Sequence, residues 1–235
     1  MRSSWRAIRA AAVLSVVLAP LVACEPLPPP EPGSELVGCD RAGERVELTA
    51  SAHLDPSCTY SGFDIVASGV TLDCQGARIE GPPVGGTRGI HIVAPPDTSL
   101  TDVTVRNCTV VGFLNSLRVM REGFRTYAEG EEYLTPTADI LLEHNRFVRS
   151  RGVGVYVDAY VEDVTVRGNT IDGAGSAGIY LETGSRRNRI EGNSIINGGY
   201  VENGPDGQAF TFNGVEVWFW GVGREGLAID GSYEN

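Results

Sequence analysis

The sequence predicts an all-β solenoid, a rod of stacked coils made from short strands. Gly154-Val155-Tyr156-Val157-Asp158 returns as Gly178-Ile179-Tyr180-Leu181-Glu182, 24 positions further on. Val164-Thr165-Val166-Arg167-Gly168-Asn169 is echoed by Ile190-Glu191-Gly192-Asn193 at the same displacement, Asn on Asn. Within both motifs apolar and polar residues alternate, which is the period of a strand and not of a helix. Self-similarity at a fixed spacing of this size marks a stacked repeat.

From the N-terminus, Arg2, Arg6 and Arg9 precede an apolar run, Ala10 to Ala23, that is short for a bilayer span. Residues 1–23 therefore read as a signal peptide. Its end, Leu21-Val22-Ala23-Cys24, resembles the lipobox of bacterial lipoproteins, which implies lipidation of Cys24. Residues 24–35, rich in proline, read as a stiff tether between that anchor and the domain. The expected location is outside the cytoplasm: cell surface, outer membrane or periplasm, held by an N-terminal lipid. Loss of residues 1–23 would take the formal charge from −11 to near −14, which argues against nucleic acid as a partner. Every basic residue is Arg, so lysine chemistry is excluded.

Residues 36–69 are expected to supply a strand or short helix over the first coil, and 70–235 the repeats. Gly89-Ile90-His91-Ile92-Val93, Ser116-Leu117-Arg118-Val119-Met120 and Gly226-Leu227-Ala228-Ile229-Asp230 fit the first motif. Val103-Thr104-Val105-Arg106-Asn107-Cys108 and Ile140-Leu141-Leu142-Glu143-His144-Asn145 fit the second, and Ile79, Val110, Phe147, Ile171 and Ile195 mark a third strand. Asn145, Asn169 and Asn193 recur at one corner, with Cys108 in the equivalent place. About 24 residues per coil, three strands and a corner Asn resemble the right-handed parallel β-helix family, the pectate-lyase-like superfold. Asn tolerates left-handed backbone, and its side chain can bond its own counterpart one coil away. Cys39, Cys58, Cys74 and Cys108 allow three pairings in an exported chain. Cys39–Cys58, closing the N-terminal region, and Cys74–Cys108, tying neighbouring repeats, are preferred. The chain stops at the equivalent of Asn188, so the last coil is expected either to continue in a longer protein or to be covered by another chain.

Alternation sends His91, Arg118, Tyr156, Tyr180 and Ala228 outward in one column, with Val93, Met120, Asp158, Glu182 and Asp230 in a second beside it. Two tyrosines next to acids suit the apolar face and hydroxyl edge of a sugar. Two insertions interrupt the period, 121–138 and 198–225, and both are expected to leave the same sheet edge. The first carries Arg121; the second carries Trp218, Trp220 and Arg224. The resemblance implies a polysaccharide as partner. In a lyase of this fold an arginine (Arg118, Arg121 or Arg224) would take the proton while Asp158 and Glu182 hold calcium, the one cofactor this reading admits, or neutralise charge. Tyr156, Tyr180, Trp218, Trp220, Arg121 and Asp230 would line the substrate. An epimerase or hydrolase is an equal expectation, and a non-catalytic binding or structural module is the alternative. The paired Asp and Gly-His-Gly of polygalacturonases are missing, as is the Asp-Pro-His-Glu of mannuronan epimerases. A third reading, an accessory protein of copper-site maturation, has no Met- or His-rich cluster to support it.

Overall fold

The structure, a computed structural model, describes residues 26–82, 86–123, 127–197, 208–212, 215–219, 225–229 and 235, with the strands after residue 207 given by backbone alone. Residues 1–23, expected to be a signal peptide, and Cys24, Trp220, Arg224 and Asp230 lie outside the described residues. Among the described residues no helix is long and apolar enough to cross a membrane.

Three parallel sheets wrap the chain. Sheet A stacks Glu35–Val37, Ala52–Leu54, Thr71–Asp73, Leu100–Arg106, Thr137–Glu143, Val164–Arg167 and Arg189–Glu191. Sheet C stacks Thr59–Tyr60, Arg78–Glu80, Thr109–Val111, Arg146–Val148, Thr170–Asp172 and Ser194–Ile196. Sheet B stacks Val46–Leu48, Phe63–Ile65, Arg88–Ala94, Asn115–Arg121, Val153–Val157, Ala177–Leu181 and Glu225–Ile229. The chain visits A, C and B in turn, so each strand is hydrogen-bonded to its own counterpart one coil away. Seven strands at about 4.8 Å spacing give a rod roughly 30 Å long. Residues 36–69 thus contribute strands to all three sheets and a single 3-10 turn, Cys39–Arg41.

Alternation builds the core. Ile90, Leu117, Val155 and Ile179 stack inward from sheet B, Val103, Ile140 and Val164 from sheet A, and Ile79, Val110, Phe147 and Ile171 from sheet C, all fully buried. Branched and aromatic side chains fill this narrow interior, and parallel stacking puts like upon like along the axis. Gly154 is required here: a Cβ would stand 2.5 Å from the Gly178 carbonyl oxygen and 2.7 Å from Ile171.

The Asn column forms between sheets A and C. Cys108 N–H donates to Asn145 Oδ1 at 3.0 Å, Asn145 N–H to Asn169 Oδ1 at 2.9 Å, and Asn169 N–H to Asn193 Oδ1 at 2.9 Å. The left-handed residue at this corner is the one before: Asn107, His144, Gly168 and Gly192 have φ of 58°, 54°, 62° and 63°. The ladder Asn, expected to take that strain, instead turns its amide inward to satisfy buried backbone groups, Asn169 Nδ2 donating to the Leu142 carbonyl at 2.8 Å. A second ladder starts at Val164 N–H, which donates to Asn188 Oδ1, while Asn188 N–H donates to Asn235 Oδ1, each at 3.0 Å.

Both disulfides pair as expected, Cys39–Cys58 and Cys74–Cys108, the second joining adjacent coils across 4.8 Å between Cα atoms. The two insertions do not share an edge. The first leaves sheet B after Arg121 and returns to sheet A; the second leaves sheet C after Ile196 and returns to sheet B. The second contains an antiparallel pair, Gln208–Phe212 with Val215–Phe219, in which Trp218 stands opposite Ala209.

Two substitutions test the architecture. Val155→Asp would bury an unpaired carboxylate within the stacked column, and circular dichroism should show no folded population. Asn169→Ala leaves the buried Asn145 amide without its partner, and urea unfolding should record a loss of about 2 kcal/mol, since an orphaned buried group costs roughly 1–3 kcal/mol.

Candidate functional site

The outward face of sheet B carries the expected column. Strand register sets Asp64 against His91, His91 against Arg118, Arg118 against Tyr156, Tyr156 against Tyr180, and Tyr180 against Ala228. Parallel pairing with no slip is what aligns them, because a one-residue shift would turn every side chain to the opposite face.

The two tyrosines form the flat part of the site. Their ring centroids are 5.0 Å apart with planes tilted by 32°, a separation typical of favourable aromatic pairs. Both tyrosines are half-buried. Tyr156 Oη donates to Glu182 Oε2 at 2.7 Å. Burial, followed by the Glu182 carboxylate, pushes the Tyr156 hydroxyl far above its ordinary range, so it remains a donor at any working pH.

Asp158 and Arg118 form the charged part. Arg118 Nε and Nη2 donate to the two Asp158 oxygens at 2.6 and 2.8 Å, a two-pronged pairing. The guanidinium also stands 5.1 Å from the Tyr156 ring centroid. Asp158 is fully buried, and its carboxyl lies within hydrogen-bonding reach of Glu182. Burial pushes Asp158 up to about 6; Glu182 adds to the rise while Arg118 pulls against it. Two carboxyls in such contact favour one proton between them.

Two coils back from Arg118, Arg45 Nε and Nη2 donate to Asp64, both at 2.7 Å. The Asp64 carboxylate also lies 3.5 Å from His91 Nδ1. Burial opposes the charge on Asp64, but the bonds from His91 and Arg45 outweigh it and hold the carboxyl well below its usual range. Burial lowers the His91 imidazole, and its Nε2 is buried without a hydrogen-bond partner among the described residues. Sequence reasoning overlooks Arg45 and Asp64 because their coil reads as a cap. Phe63-Asp64-Ile65 has the same apolar–polar–apolar pattern as Ile90-His91-Ile92, and that pattern is the available signal.

Arg121 does not join this face. It has the inward parity of Val119, is 1% exposed, and stands 4.1 Å from the Tyr127 ring with Nη2 donating to Thr135 Oγ1. The first insertion packs instead on the turns that follow the two tyrosine strands. Tyr133 meets Tyr160 edge-on at 5.8 Å between centroids and donates to the Gly184 carbonyl at 2.7 Å, while Arg186 covers its ring at 3.6 Å. Trp218 is set by backbone alone, in the antiparallel pair outside the three sheets.

The geometry limits the chemistry. Arg118 is held by both prongs on a buried carboxylate, which is the role of a positioning cation and not of a proton acceptor. The same pairing takes one site on each Asp158 oxygen, and Asp158 is fully buried, so a calcium ion held by Asp158 and Glu182 would sit beside the guanidinium. A glycosidase needs its carboxyls roughly 5–10 Å apart across the scissile bond; these two are in hydrogen-bonding contact.

A right-handed parallel coil of three sheets, with an outward aromatic and acidic stripe on one of them, defines the class. The family model described as right handed beta helix region matches residues 65–223. The chain belongs to that family. No match was found among curated proteins or among solved structures.

The raised carboxyl makes a pH prediction. Asp158 titrates near 6 in the folded protein and near 3.9 when unfolded. The folded state therefore binds the extra proton, and stability from this group is full below about pH 4 and falls as pH rises through about 6. Urea unfolding between pH 4 and 7.5 should show wild type losing about 3 kcal/mol relative to Asp158→Asn, because each pH unit separating the folded and unfolded titrations corresponds to about 1.4 kcal/mol.

Proposed function

We propose that this protein is an exported, lipid-anchored β-helix that binds a neutral polysaccharide along the outer face of sheet B. The reading is carried by the stacked Tyr156 and Tyr180 rings, 5.0 Å apart, beside a Glu182 carboxylate fixed by the Tyr156 hydroxyl. Rings of this kind offer an apolar plane to the C–H face of a sugar, and the oriented acid accepts from its hydroxyls. Successive coils repeat the offer at the spacing of strands, which suits a chain of sugars more than a single one. Export is supported by the basic and apolar N-terminal segment ending in Cys24, and by two disulfides, which persist in oxidising compartments.

Binding without turnover is the form the arrangement favours, since Arg118 is fully engaged and the two acids are too close to straddle a glycosidic bond. The catalytic alternative, a lyase, epimerase or hydrolase, draws support from one observation: burial raises the Asp158 carboxyl to about 6, toward the range of a general acid.

Affinity electrophoresis against a panel of neutral polysaccharides tests the proposal. Wild type should be retarded by at least one of them. Tyr180→Ala should weaken that retention about tenfold, equivalent to 1.4 kcal/mol, with the thermal midpoint little changed. Unaltered retention in the variant would remove the stripe from recognition. New reducing ends or unsaturated sugars released by wild type and lost in Asp158→Asn would move the assignment to catalysis.

A further inference from the structure

A second feature, on a different face, is independent of the sheet B reading. Sheet C bears an open groove of about 730 Å³ on its outer side. Val111 and Val148 form its floor, and Arg146, Arg149, Asp172 and Asn197 stand around it. Arg78 also lines it but is committed to its neighbour, Nε and Nη2 donating to the Glu80 carboxylate at 2.8 and 2.9 Å.

The corner that closes sheet C demands left-handed backbone. Gly112, Arg149, Gly173 and Asn197 occupy it on successive coils, with φ of 76°, 51°, 79° and 53°. Three of the four are Gly or Asn, the residues that tolerate this region best. Arg149 is the exception, set between two glycines. An L-residue with a Cβ and a long side chain is strained there, and such outliers persist where something else favours them.

Among the described residues no side chain supplies that compensation. The other left-handed arginine, Arg187, is tied to Asp163 and Glu162 at 2.7 and 3.0 Å. Among the described residues Arg149 bonds through its backbone alone, its N–H donating to the Asp172 carbonyl at 2.8 Å. Among the described residues neither Arg149 nor Arg146 has a carboxylate partner, although acids outnumber bases by 30 to 19 in this chain. Both guanidiniums are exposed. The Asp172 carboxylate is oriented by Asn197 Nδ2, which donates at 2.8 Å.

We infer that this groove is a binding site for an acidic glycan, with Arg149 and Arg146 gripping its carboxylate or sulfate groups. A guanidinium fork matches either anion in a two-pronged way. Asp172 accepts from neighbouring hydroxyls, and the valine floor lies under the sugar plane. A simple anion would meet Asp172 as a repulsive charge, so the site selects a ligand that carries hydroxyls beside its anionic group.

Isothermal titration of the full chain with an oligogalacturonide, a sulfated oligosaccharide, a neutral glucan and inorganic sulfate tests this. Wild type should bind one of the two acidic oligosaccharides and bind the glucan and inorganic sulfate far more weakly; which acidic one binds identifies the anion. Arg149→Gly should cost at least tenfold in that affinity, and its thermal midpoint should stay level or rise as the corner gains its preferred residue. Arg146→Asn should weaken binding further, whereas Tyr180→Ala should leave it intact, which separates this site from the sheet B stripe. Binding by Arg149→Gly within twofold of wild type would overturn the inference, as would equal affinity for the neutral glucan. A midpoint lowered by several degrees in Arg149→Gly would equally overturn it, by assigning Arg149 to the fold. Failure of wild type to bind either acidic oligosaccharide would also end it.

Discussion

Vertical hydrogen bonding between coils is the constraint on which the rest depends. In a parallel stack each strand's backbone groups are satisfied only by its counterparts above and below, so the register of one coil fixes that of the next. The Asn ladder reinforces this at the A–C corner. Each Asn accepts from a backbone N–H of the preceding coil and donates to one of that coil's buried carbonyls. Inward columns of Val, Ile and Phe then add apolar burial, but they do so because the register is already common to all three sheets. The outward columns inherit the same alignment.

That inheritance explains the character of the sheet B face. Charges and rings separated by 24 to 40 residues in sequence are brought side by side without any loop having to carry them. Side chains at the surface of one strand bury those of the next, so Asp158 loses its water although its position points outward. Arg118 compensates with a two-pronged pair, while the neighbouring Glu182 carboxyl opposes the charge on Asp158. The site is therefore a product of stacking, rigid on a rigid scaffold, with its acid–base properties set by neighbours one coil away.

Much of this is legible in the sequence. The alternation of Val155, Tyr156 and Val157 against Ile179, Tyr180 and Leu181 assigns both the inside and the outside of sheet B, and the strand register agrees. The Asn column and both disulfides are legible from spacing. The early coils are not, because Val46 and Phe63 pair across a shorter interval that breaks the period. Nor can spacing show that Arg118 reaches diagonally to Asp158, past its register partner Tyr156; side-chain reach has no signature in a repeat. Arg121 misleads for a related reason. Its charge suggests the surface, whereas strand parity at the end of Asn115–Arg121 turns it inward.

The placement of the covalent links has a mechanical consequence. In a stack each coil leans only on its neighbours, so cohesion is local and does not spread through one shared centre. Both cross-links fall between Cys39 and Cys108, which staples the opening coils and leaves those bearing Tyr156 and Tyr180 to non-covalent cohesion. Under heat or tension the coils up to Cys108 are thus zipped while those beyond it can part, with the tyrosine face on the unzipped side of that boundary.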